Sequence, residues 1–548
     1  MSLPGKNLQN LRTVPLYNKF FCALYLTLLL LLITSGCTTE HYKADADEEV
    51  YSIIDKKWSP DLGQKVNYRI ADVPQGPNDI VIDRLALESG TLTLAQAVAL
   101  ATAQSRDYQS RKETLYTVAL DLTEARHDFA TQWFGSFDAD YLNDADDESV
   151  AYDSQLGFSR LLADGTQITT SIAVDWLRYL TGDPRTSLGS VLSAAVTKPL
   201  LRGSQRKIVT ENLTQAERNL LYQIRSFNRF RKTFVVSVVA QYYDVLRTLD
   251  EVKNAQENYK SLVLAYDEAQ LSAEAGRRTR LQADQTKQNM LRAEDSLTRA
   301  ERSYQQALDE FKILLALPTD MDIQLDPDEL TALAKMDIAE PVFSAEDAVQ
   351  TALTSRLDLA NTADQFEDAE RKVEVAADAL GADLNLIAGL SAASPDGESD
   401  IDRLQFQNGD YSLGLQFDLP LDRKVQRNAY RKKLIDLMST KRSYEQAIDD
   451  IKLQVRNAYR RLTESATRYK IQKDSLALAE ERVNSANMLL KAGRAASRDL
   501  LEAQASLLSA QNDTTSTLID YAVSKLNFYR DIGILKVRPD GLWEQQAK

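Results

Sequence analysis

In 548 residues there are two histidines, His41 and His127, and two cysteines, Cys22 and Cys37. Zinc sites need Cys and His clustered at short spacings, and these four residues form no such cluster. A Ser/His/Asp arrangement needs a histidine within reach of both partners; two histidines leave little room for one, and no phosphate-cradling glycine loop stands out. The chemistry on offer is that of carboxylates: Asp and Glu outnumber Lys and Arg by 80 to 65, for a formal net charge of −15. Such a chain is a poor partner for nucleic acid. One acidic pair is well placed. Asp499 and Glu502 stand one helical turn apart, on one helix face, just after a glycine, Gly493, that interrupts the helical pattern of "LLKAGRAASRDLLEAQ". Gly276 interrupts a second such pattern in "LSAEAGRRTRLQADQ". An interior glycine costs about 1 kcal/mol relative to alanine. Two in similar company point to one device used twice, an αL-competent residue that ends a helix where the chain reverses.

The elements that carry these tips are themselves duplicated. "LTLAQAVALATAQSRDY" from Leu92 and "VFSAEDAVQTALTSRLDL" from Val342 align at an offset of 251, which brings Ala97 onto Ala348, Val98 onto Val349 and Ala101 onto Ala352. Thr93 with Gln96, and Ser344 with Asp347, open each copy as a capping box. Each repeat predicts a helix (about Thr93–Thr131 and Ser344–Leu380), a strand region, a very long helix (about Arg202–Glu274 and Arg423–Leu490), the glycine, and a half-length helix (Leu281–Leu315 and Ser497–Phe528). The long helices carry apolar seams at steps of three and four, such as Ile451, Val455, Ala458, Leu462, Ser465 and Tyr469, which is the coiled-coil period. Their Lys, Arg, Glu, Asp and Gln faces read as solvated. At 1.5 Å per residue the long helices reach ~100–110 Å. Each can pack against two half-length helices stacked in line, so each glycine belongs at the tip of a hairpin.

The strand regions alternate or carry β-branched and aromatic residues between Gly, Asn, Asp and Pro clusters. They include "FDADYLND" and "LSAAVTKPLL" in the first repeat and "ADLNLIAGLSA" and "YSLGLQFDLPL" in the second; Pro199 and Pro420 close the sets. "SQLGFSRLLADGTQITTSIAVDWLRYL", Ser154 to Leu180, reads as an additional hairpin turning at "ADGT", which leaves the strand number per chain open. "ESDIDRLQFQNGD" reads as a loop at the outer end. After Cys37 there is no run of 18 apolar residues, so any membrane crossing must use strands.

The N-terminus has Lys6, Arg12 and Lys19 and no acid before the apolar run "FFCALYLTLLLLLITSG", the pattern of an export signal. "ITSGC" resembles the bacterial lipoprotein signal box. That resemblance implies removal of residues 1–36, a lipid on Cys37 and, with Thr38 following, sorting to the outer membrane. The competing reading is an uncleaved N-terminal helix with an incidental cysteine. Residues 37–91 show no clear period and read as a lipid-anchored, extended arm; 92–341 and 342–538 are the two repeats, and 539–548 a tail.

The order of elements resembles the TolC-type outer-membrane efflux proteins, on "LTLAQAVALA" and "FSAEDAVQTA", "VTKPLLRG" and "LQFDLPLDR", and the two tip segments "AGRRTRLQADQ" and "AGRAASRDLLEAQ". The resemblance implies a mainly α fold with a membrane β-barrel part: a homotrimer forming an outer-membrane β-barrel, usually of four strands per chain, continued by a long coiled-coil α-barrel. It implies a periplasmic adaptor and an inner-membrane transporter as partners, passive conduction, and no enzymatic step, cofactor or metal. It places a pore constriction at Asp499 and Glu502, and adaptor contacts at the tips with Gly276, Arg277, Arg278, Gly493 and Arg494. This chain departs from the family's best-known lock at Gln282, Ala495 and Leu490, so a salt-bridged closure from those positions cannot form. The expected function is the exit duct of a tripartite small-molecule efflux system. The alternatives are a polypeptide secretion duct and a lipid-anchored coiled-coil spacer without a pore.

Overall fold

A computed structural model describes residues 38–59, 65, 68–70, 91–143, 148–179, 186–277, 279–335, 338, 344–395 and 403–538. The signal segment with Cys37, Arg278 and the tail 539–548 lie outside the described residues. The arm is not extended throughout: Thr39–Lys57 is a helix, α1. Its only apolar spacing of helical kind is Val50, Ile53 and Ile54, all buried, too short a stripe to register as a period in the sequence.

The first repeat runs β1 (Thr91–Leu92), α2 (Leu94–Gln104), α3 (Arg106–His127), β2 (Gln132–Asn143), β3 (Glu148–Leu161), β4 (Gln167–Tyr179), β5 (Thr186–Pro199), α4 (Arg206–Val209), α5 (Glu211–Glu274), α6 (Arg280–Leu314), β6 (Gln324–Leu325) and α7 (Asp328–Ala334). The second runs α8 (Ala345–Ser355), α9 (Leu357–Asp378), β7 (Asp383–Ala393), β8 (Asp410–Asp418), α10 (Lys424–Lys491) and α11 (Ser497–Asp531). Both openings are capped as the sequence predicts: the Gln96 N–H donates to Thr93 Oγ1 at 3.4 Å and the Asp347 N–H to Ser344 Oγ at 3.1 Å.

Each opening helix, expected to be continuous, is broken once, and at equivalent positions. Ser105 (φ −57, ψ 131) separates α2 from α3, and Arg356 (φ −81, ψ 118) separates α8 from α9. Neither residue is a helix breaker by type. Burial decides: Ser105 and Arg356 are each 4% exposed. The Arg356 guanidinium is held by Asp358 at 2.6 and 3.0 Å, by Gln454 at 2.9 Å and by the Asp531 carbonyl. The first long helix also starts later than expected, at Glu211, because Thr210 (φ −90, ψ 9) interrupts it after α4.

At 1.5 Å per residue, the 64 residues of α5 span about 96 Å and the 68 of α10 about 102 Å. In the second repeat Ala348, Val349 and Ala352 of α8 close a core with Ile451, Val455, Ala458 and Leu462 of α10 and with Tyr521 and Phe528 of α11. The small seam residues let the helix axes approach closely.

Both tips are Schellman caps of the same build. In the first, the Arg277 N–H donates to the Ser272 carbonyl at 2.9 Å and the Gly276 N–H to Ala273 at 3.1 Å; in the second, Arg494 donates to Leu489 at 2.8 Å and Gly493 to Leu490 at 3.1 Å. Both glycines have φ 68, and a Cβ on either would meet nothing within 4 Å. Gly165, in the β3–β4 turn, differs: at φ +81 its Cβ would lie 2.6 Å from the Gly203 carbonyl oxygen and 2.7 Å from Pro199. Gly493→Ala should therefore cost only left-handed strain, about 1 kcal/mol, read as faster amide exchange over the tip. Gly165→Ala adds an overlap with backbone and should lower the melting temperature further. Equal effects of the two substitutions would contradict this account.

An ion-pair ladder joins the repeats where α5 runs antiparallel to α9. Arg202 meets Asp383 at 2.7 Å, Lys207 meets Glu374 at 2.6 Å, Arg225 meets Asp364 at 2.6 Å and Arg229 meets Asp358 at 3.1 Å. Asp368 is its buried centre, with a side chain 4% exposed. It accepts from Tyr222 Oη at 2.6 Å, Arg371 at 2.7 Å and Gln215 at 3.0 Å, and Arg218 lies 3.0 Å away. Arg371 also reaches Glu211 at 3.0 Å. The solvated reading of these faces is corrected around Asp368, which is withdrawn from water and paired; Lys207 and Glu374 pair while staying more than half exposed.

Candidate channel wall and tip

Six strands form one antiparallel sheet in the order β2-β3-β4-β5-β7-β8. The additional hairpin is β3–β4, turning at Ala163–Thr166, so the first repeat supplies four strands and the second two. Helices enter and leave at one end of the sheet only: α3 precedes β2, α4 follows β5, α9 precedes β7 and α10 follows β8.

The register divides the sheet into two faces of opposite character. One row runs Ala139, Tyr152, Trp176, Leu188; another runs Gly135, Leu156, Ile172, Leu192, Ala392; a third continues Ala194, Leu390, Tyr411. On this face Trp133, Phe137, Tyr141, Leu156, Leu413, Leu415 and Phe417 are all more than half exposed. A soluble protein rarely leaves so large an apolar surface bare. Aromatic side chains lie toward both ends, Trp133 and Phe417 near the helices and Tyr141 and Tyr411 at the far end. From Trp133 to Tyr141 is about 26 Å along an extended strand, close to the apolar band between the two aromatic girdles of a membrane β-barrel. Arg160 and Lys198 of this face sit beyond the band at the helical end.

The opposite face is polar and small: Gln155, Ser171, Ser193, Ser391, Ser412 and Gln416 are on it. Phe134, Leu142, Leu161, Leu177 and Ile387 are large apolar exceptions on it. Asp138, Asp153 and Asp175 stand side by side in one row across β2, β3 and β4, and Asp140, Asp410 and Asp418 share the face. The aspartates within alternating strands were a signal available in the sequence. A sheet that is apolar on one side and polar on the other, over every strand, is the pattern of a barrel with lipid outside and water inside. Among the described residues no helix is long and apolar enough to cross a membrane, and no acidic, His or Cys group could hold a metal ion.

Residues 348–530 match the family model of the outer membrane efflux protein. The structure superposes on the outer-membrane channel CmeC of Campylobacter jejuni with a TM-score of 0.59 at 15% identity, covering 89% of this chain and 93% of that one. It superposes on the open state of the MtrE outer-membrane channel of Neisseria gonorrhoeae with a TM-score of 0.60 at 14% identity, covering 80% and 88%. Its fold is that of these outer-membrane channels, and the sequence of its second repeat is similar to the outer membrane efflux protein family. A comparison with curated sequences finds no match. The outer-membrane channel OprN is similar as well, with a TM-score of 0.60 at 14% identity.

The structure gives the acids of the second tip local roles. Asp499 is the third residue of α11, and its carboxylate accepts the Ala496 N–H at 2.9 Å, an N-terminal cap. The equivalent residue in the first repeat, Gln282, makes the same bond to the Thr279 N–H at 3.1 Å. The gate position of the resemblance is thus also a capping position, filled by an amide in one repeat and a carboxylate in the other. Glu502 accepts from Arg498 Nε at 2.8 Å within α11. Both acids are exposed, as are Arg277, Gly276, Gly493 and Arg494. Ala495 and Leu490 offer no charge there.

Proposed function

We propose that three copies of this chain form the exit duct of a tripartite efflux assembly. The sheets line an outer-membrane pore, and the helical tips meet a periplasmic adaptor and an inner-membrane transporter. Small molecules pass without chemical change, and a lipid on Cys37 adds a second hold on the membrane. The carrying observation is the two-faced sheet, attached at one end to helices of about 100 Å. That combination serves a conduit that spans a membrane and then an aqueous gap; a spacer has no use for the sheet. Exposed apolar side chains on one side of α10, including Ile435, Leu453, Ile471 and Leu478 at 53–67% exposure, supply the helical wall with surface for neighbouring copies.

Planar-bilayer recording of the purified protein tests the reading. It should conduct, prefer cations, and be blocked by a trivalent cation, because Asp499 and Glu502 from three chains converge at the tip. Asp499→Asn with Glu502→Gln keeps hydrogen-bond acceptors for the cap while removing six charges from a trimer. The reversal potential in a salt gradient should move toward zero and the block should weaken, with the trimer intact. An unchanged reversal potential would leave the acids as cap and ion-pair residues off the pore. No conductance in the unsubstituted protein would sink the duct itself.

A further inference from the structure

The β3–β4 hairpin is built into the sheet along its whole length. β3 pairs with β2 from Glu148 to Ser159, and β4 pairs with β5 from Gln167 to Arg178. Its turn is fixed to the junction with the helices. Asp164 meets Lys198 at 3.1 Å, and Gly165 packs on Gly203 and Pro199. Its side chains keep the two faces of the neighbouring strands without a slip: Leu156, Ile172 and Trp176 on the apolar side, Gln155 and Ser171 on the polar side. Within one copy, β2 and β8 each have one partner strand among the described residues, so each offers a free edge. An open edge is not stable in hydrocarbon, where backbone groups have no water to bond. β2 runs away from the helices and β8 runs back toward them, so β2 of one copy can meet β8 of the next antiparallel.

We propose that the membrane wall is a barrel of eighteen strands, three copies of the six-stranded sheet joined β2 to β8, with the β3–β4 hairpin as part of the wall in every copy. The partner at each edge is a second copy of this chain. Barrel diameter grows roughly in proportion to strand number, so this lumen is about half as wide again as that of a twelve-stranded barrel and falls in the class that encloses an aqueous channel. The inference rests on the channel reading and adds to it the composition of the wall.

Single cysteines tested with a membrane-impermeant maleimide on the full chain in lipid vesicles distinguish the two. On β4, Ser171→Cys and Ala173→Cys should label at least tenfold faster than Ile172→Cys and Val174→Cys. On β8, Ser412→Cys and Gln416→Cys should outpace Leu413→Cys and Leu415→Cys in the same way, with the unsubstituted chain as background. Native mass spectrometry of the extracted complex should show three chains. Alternation on β8 with uniform labelling on β4 would put the hairpin outside the wall and overturn eighteen strands while the channel stands. Uniform labelling on both strands would overturn the channel reading and this inference together. A two-chain complex with alternation on both strands would replace eighteen strands by twelve and overturn the proposal.

Discussion

Asp368→Ala is expected to lower the stability of the folded chain by about 3 kcal/mol, the low end for removing one partner of a buried ion pair. The low end applies because Arg371 keeps Glu211 and Arg218 keeps Glu367, and both arginines retain some solvent. The larger part of the loss is the buried Tyr222 hydroxyl left without its acceptor, while the Gln215 amide keeps Asn219. The same residue makes stability depend on acid. Burial pushes the Asp368 carboxyl up, but hydrogen bonds from Tyr222, Gln215 and Arg371 outweigh it and hold the carboxyl below its ordinary value. A group depressed in the folded state contributes stability above its unfolded value, near 3.9, and loses it as pH falls through the folded value. Asp358, lifted by burial but held low by Arg356 and Arg229, acts with the same sign. Melting temperatures at pH 7 and in steps down to pH 3 should fall for the unsubstituted protein below about pH 4. Asp368→Ala should start lower and fall less. An unchanged melting temperature, or an identical acid slope, would refute the ladder's role.

Leu413→Arg is expected to prevent assembly in the outer membrane, while Ser412→Arg, one residue away, is tolerated. Leu413 pairs with Ala388 on the apolar face, between the aromatic ends at Tyr411 and Phe417, and Ser412 pairs with Gly389 on the polar face. An arginine facing lipid near the bilayer middle costs roughly 2–4 kcal/mol, and the proposed trimer would bear it three times. The polar face has water, and Gly389 leaves space beside Ser412. The yield of folded trimer should collapse for the first substitution and stay within about twofold for the second, a difference of less than 0.5 kcal/mol. Ser412→Arg should also weaken cation preference, because it sets three positive charges on a wall that carries Asp410 and Asp418. Equal yields would mean that the sheet does not face lipid as its register indicates.

What could be read from the sequence was what repeats or alternates. The offset of 251, the two glycine tips, the capped openings and the apolar seam of α10 rest on local spacing, and local spacing survives in a string of letters. The breaks at Ser105 and Arg356 could not be read in this way. Arg356 is held by Gln454 of α10 and the Asp531 carbonyl at the end of α11, distant in sequence, and Ser105 is buried at the equivalent position. The ladder was hidden for a related reason: Arg218, Arg225 and Arg229 are spaced as surface residues are, and only the antiparallel approach of α9 sets Asp368, Asp364 and Asp358 opposite them. The hairpin turning at Asp164 and Gly165 was visible, but whether it joined the main sheet depended on long-range pairing with β2 and β5. Asp499 was visible as an acid after a glycine; its capping bond to Ala496 was equally available from its place in the first turn.

The ion-pair ladder occupies only the part of α5 near the sheet, from Glu211 to Arg229, with Arg202 and Lys207 leading into it. Farther toward the tip, Arg247 is held by Asp244 and Glu251 of its own helix. There the described bonds from α5 to α11 are Asn254 with Asn512 at 2.9 Å, Asp250 with Thr515 at 2.7 Å and Ser261 with Gln504 at 2.8 Å. The helical shaft is therefore clamped at its root and lightly tied along its length, as a reed is. Sideways displacement is then largest at the free end, so in the proposed channel a small push there moves the aperture while the root stays nearly still.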